Sequence, residues 1–527
     1  MSRLRDKLFG VPSGVSALGG RFRTAHHAAS LDDARLSSWL PAAGSADADM
    51  LPELGILTPR ARDLARNSGL AGGYIQTAKD NIIGHQLRLN AIPDYLLLGR
   101  DKDWARTWSK QVEAEFRTWA DTTECDAAHT QTLWGLARVA LAAALMNGDH
   151  VTLPKWLPQN GARWATRLQN IESDRLSTPP REAANPQLRG GVEIDGNGAP
   201  VAYWIQQQHP GDRYGLTGSW EPPEWVRVPA FTAWGRRRVI HLHDKERPGQ
   251  TRGAPVFTRV LREFRVSSEY VGNELHASAA NALIAAFLET DMSQEAVSGL
   301  FGDSGAEMMA QYQDPQSYLS QIYSRFNRKK LDSGLIMPLP PGTRLSSFDT
   351  ARPNVNFGEF MGHVSRYIAA GLNVPYELLM KDFTQSNYSS ARAALLEAWR
   401  YFLSYRRTFT ELFLAPIYAL WFEEAVNRGS IDAPDYYDNP YAYLRARWTF
   451  AGRGWVDPVK EAVAAQTRIE SGLSTLEAEC AEQGHDWEEL ADQQAVEREY
   501  RAALNLPDPY ATAGRGFAPT NDQQVAA

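Results

Sequence analysis

Residues 371–393 constrain the fold more than any other stretch of this chain. The run Gly371-Leu-Asn-Val-Pro375-Tyr-Glu-Leu-Leu379 stops one helical pattern, which occupies Phe357 to Gly371. A glycine suits a helix C-terminus, and Pro375 cannot continue the helix because it lacks an N–H and clashes with the preceding turn. A polar segment follows, Lys381-Asp-Phe-Thr-Gln-Ser-Asn-Tyr-Ser-Ser390, and a long amphipathic pattern then opens at Ser390 and runs to Asn427. Helix, short polar connector and long helix form an unusual centre for an enzyme. Trp399, Phe402, Phe409, Phe413 and Trp421 recur along the long pattern, and Pro416 predicts a kink within it.

Upstream the periodicity changes twice. Leu64, Ala71, Ile75, Ala78 and Ile82 step by helical spacings between Thr58 and Ile83, and Trp104–Trp119 and Thr132–Met146 give two further helices. Asn147-Gly148 closes the last of these. Between Arg163 and Asp244 the period becomes two. Val192-Glu-Ile194, Asp195-Gly-Asn-Gly198 and Val201-Ala-Tyr-Trp-Ile205 predict a hairpin, while Trp225–Val228 and Val239–His243 add strands. From Val256 to Glu289, Phe257, Leu261, Phe264, Val271, Leu275, Leu283 and Phe287 make a stripe. As one helix it would reach roughly 50 Å, with Gly272 as a possible break. Residues 470–499 hold ten Asp/Glu against Arg498 alone in a helical context. No internal repeat is visible.

Composition mainly excludes. The chain has 527 residues, 43% hydrophobic, enough for a large core, and 22% charged residues with 16 Trp mark it as globular. Cys125 and Cys480 match no metal-ligand spacing and read as free thiols. No secretory signal is visible, and Ala277–Leu288 is too short an apolar run to span a bilayer, so no membrane role is expected. A net charge of −7 argues against tight general nucleic-acid binding, which needs a basic surplus.

Catalytic patterns are weak. Ala127-Ala-His129 and Gly302-Asp-Ser-Gly305 imitate the boxes of a serine protease, but Ser304 lacks the usual second glycine and the many short strands of such a barrel are absent. His241 and His243 share one strand face beside Asp244, without a third ligand at recognisable spacing. They read as a structural pair in preference to a metal site. The competing functional reading is a cytoplasmic metal-dependent hydrolase using His241, His243 and Asp244. No Gly-Lys dipeptide occurs, which excludes a P-loop, and no cofactor is expected. Arg325, Arg328, Lys329 and Lys330 form a basic run that reads equally as a solvated face or a phosphate contact.

Three segments resemble the lambda-type family of bacteriophage portal proteins. They are the 371–393 region, Ala61-Arg-Asp-Leu-Ala-Arg-Asn67 running on to Asp80-Asn-Ile-Ile-Gly84, and Val239–Asp244 followed by Arg247-Pro-Gly-Gln-Thr-Arg-Gly253. They occur in the family's order over roughly residues 50–505. The resemblance implies an α+β portal fold: a mixed α/β wing, long stem helices, a small clip and a helical crown. On this chain it implies a mobile arm at 1–57, a wing at 58–255, a first stem helix at 256–289 and a clip at 290–356. A second stem helix at 357–379, a tunnel loop at 380–390 and a kinked long helix with wing return at 391–454 come next. A crown at 455–505 and a disordered tail at 506–527 complete it. Lys381, Thr384, Gln385, Ser386, Asn387, Tyr388 and Ser389 would line the DNA channel, and the basic run 325–330 would meet terminase or DNA.

The resemblance further implies no catalysis and a dodecameric ring at one capsid vertex through which double-stranded DNA passes non-specifically. The expected partners are the terminase large subunit, head-completion or adaptor proteins, and the major capsid and scaffold proteins. The expected location is the virion, with assembly in the host cytoplasm.

Overall fold

The computed structural model describes residues 33–159, 161–214, 222–283, 357–454 and 457–510, with residues 28, 287–288 and 337–338 besides. Two helices, α1 (Ala46–Asn67) and α2 (Gly69–Ile82), open the fold, broken at Ser68, whose hydroxyl accepts from Ala71 N–H and caps α2. The arm expected over 1–57 is thus too long, because helix starts at Ala46. Ser45 caps it, Asp47 and Asp49 sit favourably in its first turn, and the buried Asp47 carboxylate accepts from Thr251 N–H at 2.8 Å.

Strand β1 (Leu87–Ala91), α3 (Lys102–Ala120) and α4 (Leu133–Asn147) follow. Then come β2 (Asp149–Trp156), β3 (Thr166–Ile171), β4 (Leu188–Arg189), β5 (Val192–Ile194), β6 (Pro200–Gln206), β7 (Trp225–Pro229) and β8 (Ile240–His243). They build an antiparallel sheet in the order β3-β2-β8 and a second in the order β4-β5-β6-β7. The hairpin expected from Val192 to Ile205 is β5-β6, so the first half is mixed helix and sheet as expected. A small core of Val151, Ile171, Val192, Tyr203, Ile205 and Val239 joins the two sheets.

Helix α5 (Leu261–Leu283) is shorter than the stripe suggested. Residues 256–260 form turns, and Gly272 lies inside the helix without ending it. The dipeptide strands β9 (Phe287–Leu288) and β10 (Met337–Pro338) pair in parallel. The remainder of 290–356, with the basic run and Ser304, lies outside the described residues.

Helix α6 (Phe357–Gly371), α7 (Tyr376–Met380) and α8 (Tyr388–Phe409) come next. A π-helical turn, Thr410–Leu414, links α8 to α9 (Ala415–Asn427). The irregularity expected at Pro416 is therefore a π turn just before the proline, which widens the backbone where an N–H is missing. Helix α10 (Pro440–Leu444) and β11 (Ala446–Phe450) lead back to the first half, β11 pairing antiparallel with β1. Three helices finish the described chain: α11 (Pro458–Glu470), α12 (Leu476–Glu482) and α13 (Trp487–Ala503).

The aromatic centre of the main core lies where α3, α9 and the segment before β3 meet. Phe116, Trp119, Trp164, Tyr418, Trp421 and Phe422 are buried, and Phe116 meets Trp421 edge-on at 5.0 Å. Residues over three hundred positions apart in sequence thereby share one aromatic cluster, and removing such a ring typically costs about 3–5 kcal/mol.

Candidate functional site

The connector between α6 and α8 is built by termini that define each other. Gly371 ends α6 against Val260, where a Cβ would overlap the valine Cγ1. Asn373 takes a left-handed φ of 57°, and the Leu372 and Val374 N–H groups return to the last carbonyls of α6. Pro375 sets the entry to α7, whose Leu379 is buried. Lys381, at φ 54°, closes α7, and the Asp382 N–H donates to Glu377 O at 3.1 Å. The Asp382 carboxylate accepts from Thr384 N–H at 3.0 Å and its hydroxyl at 2.6 Å, and these bonds hold its pKa below the usual range. Ser386 reaches back to Phe383 O and to the Glu377 carboxylate. Asn387 then caps α8, its Oδ1 accepting from Ser390 N–H at 2.8 Å.

Lys381, Thr384, Gln385, Asn387 and Ser389 are all exposed, Ser386 is half-buried, and Tyr388 is the first residue of α8. Five of the seven candidate channel residues are thus exposed along this connector and the first turn of α8. Lys381 and Asp382 cancel in charge, so the turn offers neutral hydrogen-bonding groups and no net field.

The other candidates have structural roles. His241 Nε2 donates to Asp149 Oδ2 at 3.1 Å, and Asp149 is also gripped by Arg252. His243 stacks beside His241 with ring centroids 4.3 Å apart, both imidazoles being largely buried. Asp244 is exposed, and its charge acts on Tyr401 and Tyr405 of α8. The three side chains share no metal-holding geometry, so the hydrolase reading finds no support. Among the described residues one group, Glu172, Asp174 and His209, has suitable spacing, but the Arg62 guanidinium already pairs with Asp174. His129 holds a φ of 55° and its Nδ1 lies 3.0 Å from Arg167 Nη1, a contact of loop packing and not of a triad.

The quoted sequence segments turn out to be polar hubs. Arg62 bonds Asn147 Oδ1 at 2.7 Å as well as Asp174. Arg138 ties Asp80 and Gly84 O to α4. Arg252, buried, donates to Leu176 O, Gly190 O and Ser173 O in addition to Asp149. Gly253 lies against Gly148, whose φ of 91° ends α4, and neither position has room for a Cβ.

Sequence reasoning missed a basic face on β1 and α3. Arg106, Lys110, Glu113 and Arg117 recur at helical spacing on α3, and Arg88 of β1 and Arg447 of β11 stand beside them. The three- to four-residue recurrence was the available signal.

The pattern described for phage portal proteins of the lambda family matches residues 32–406. The portal protein B of Escherichia phage lambda is 30% identical over 521 residues, covering 97% of this chain and 93% of its own. The portal protein of Escherichia phage N15 is 30% identical over 484 residues, 90% of each chain. Among solved structures, the neck of a native GTA particle computed with C12 symmetry covers 86% of this chain at 14% identity and a TM-score of 0.37, too loose a likeness to bear weight. With a family pattern over most of its length and near-complete alignment to two portal proteins, the chain belongs to the lambda family of phage portal proteins.

Proposed function

We propose that twelve copies of this chain close into a ring at one vertex of the capsid, and that double-stranded DNA is packaged and ejected through it. The observation that carries the reading is family membership across a segment that includes the α6–α8 connector. In this reading 58–255 is the wing, 256–289 and 357–379 supply the stem and 290–356 is the clip. The connector is the tunnel loop, 391–454 the kinked helix and wing return, and 455–505 the crown. The terminase large subunit docks at the clip, where Arg325, Arg328, Lys329 and Lys330 contribute, and head-completion or adaptor proteins follow it. Major capsid and scaffold proteins meet the outer surface. The protein assembles in the host cytoplasm, resides in the virion, and has a structural role without catalysis.

Physical chemistry supports this reading at the loop. A neutral turn repeated around a ring gives DNA weak, exchangeable contacts, whereas a cation in each copy would multiply into a brake. Asn387 caps α8, so the test uses Gln385 and Ser389, which are exposed and outside the cap. Gln385→Lys with Ser389→Lys should leave ring assembly intact and shorten the packaged DNA, more so at low salt. Gln385→Glu with Ser389→Glu should repel DNA and also reduce packaging. Normal packaged length from both variants, in rings that assemble normally, removes these residues from the DNA path.

A further inference from the structure

The three C-terminal helices are seated on the rest of the protein almost entirely by charge. None of α11, α12 and α13 contributes a buried residue. The seat of α12 and α13 is the face made by β1, β11 and α3, whereas α11 pairs with Arg453 and with α12. At 100° per residue, Arg106, Lys110, Glu113 and Arg117 fall within about 60° of arc on α3. Arg88 pairs in register with Thr449 and Asn90 with Arg447, so Arg88 and Arg447 lie on one face of the ribbon. The result is a plate of five cations assembled from three elements.

An acidic helix covers that plate. Glu488 meets Arg106 at 3.1 Å, Asp492 meets Lys110 at 2.9 Å, and Glu489 lies 2.5 Å from Arg88 and 3.8 Å from Arg117. Glu477, on α12, pairs with Arg447. The cations at these pairs are about half exposed, so each pair is weak and weakens further with salt. Open clefts of about 320 and 380 Å³, lined by polar and apolar groups alike, run along the seam. Such a seat is exchangeable: another polyanion can replace the carboxylates without breaking a hydrophobic core.

We propose that the β1–β11–α3 face is a binding site for the phosphate backbone of double-stranded DNA, kept covered by the acidic helix α13. A row of separated cations fits an extended polyanion better than a small anion, which needs convergent donors. The carboxylates of α13 stand in for phosphates, so an otherwise acidic chain, net charge −7, keeps its basic surface masked until α13 moves. The site does not depend on which residues line the channel.

The test is titration of the full-length oligomer with a short duplex DNA across a range of salt concentrations. Glu488→Gln, Glu489→Gln and Asp492→Asn together should tighten duplex binding about tenfold at low salt and steepen the salt dependence by about 0.9 per freed cation. Adding Arg106→Gln, Lys110→Gln and Arg117→Gln should abolish the gain. The same charge change at Glu269, Glu397 and Glu411, which also frees arginines, should give a clearly smaller gain. Equal gains from both sets, or no gain from the first with native mass and helicity preserved, overturn the proposal. If the neutralised variant fails to fold, the natural chain decides: duplex at low salt should speed amide exchange in α13 and slow it in α3, and unchanged exchange in both overturns the site. Failure of ring assembly registers separately, in native mass.

Discussion

Arg252 illustrates how this protein uses buried charge. Its guanidinium serves Asp149 and three backbone carbonyls, joining the loop after β8 to both sheets. Arg252 and His241 hold the Asp149 carboxyl far below its ordinary range against the opposing effect of burial. Arg252→Met should therefore lower stability by about 3–5 kcal/mol, because it strands a buried carboxylate, and a thermal melt reads the loss directly. An unchanged melt would mean that the network is incidental. Burial pushes His150 down to about 4 and His243 down to about 3, from an ordinary value near 6.5. Between those values the unfolded chain binds protons that the folded chain refuses. Stability is thus retained above pH 6.5 and falls below it, by up to about 1.4 kcal/mol per pH unit for each histidine. Asp149 acts lower: its contribution is present above about pH 4 and is lost as the unfolded carboxyl protonates. His243→Gln should flatten the stability profile between pH 6.5 and 5; an unaltered slope would assign the acid sensitivity to other groups.

At the scale of elements, helix ends were easier to read than helix docking. Gly148, Gly371 and Pro375 mark ends that the structure retains, since caps are set by local backbone preference. What Gly371 also does is admit Val260, at the foot of α5, which no local pattern reveals. Gly371→Ala should cost about 1–3 kcal/mol by overpacking, and Val260→Ala in the same chain should recover much of it. Additive losses in that double-variant cycle would show that the two positions do not touch. The π turn at Thr410–Leu414 had Pro416 as its only sequence signal, because the extra carbonyl spacing is decided by how Phe413 and Trp421 enter the core.

For the whole molecule, family membership leads to a quantitative expectation. Native mass measurement should give a large closed oligomer across a range of salt and protein concentrations, and a stable monomer under all of them would refute the ring. A ring needs two different complementary flanks on each copy, since its interface is head-to-tail. The oligomer alone should hydrolyse no ATP, given the missing P-loop, and turnover by a homogeneous preparation would reopen the enzymatic reading.

The sequence by itself determined the alternation of helices and strands, the hairpin at β5–β6, the helix end at Gly371 with Pro375 beyond it, and the family. These depend on neighbours in the chain or on motif order, which spacing records. Only the tertiary structure decided that β1 pairs with β11, across most of the chain, because pairing between distant strands leaves no local periodicity. It alone placed Arg252, Arg406 and Glu424 inside, where Arg406 donates to the carbonyls of Asn81, Ile82 and Ala451, and Glu424 accepts from Ala165 and Thr166 N–H. Composition assigns charged residues to the surface, because burying one unpaired is prohibitive. The partners that make burial tolerable come together only once the chain has folded. For the same reason the acidic run at 470–499 was legible as acid, while the basic face beneath it was not.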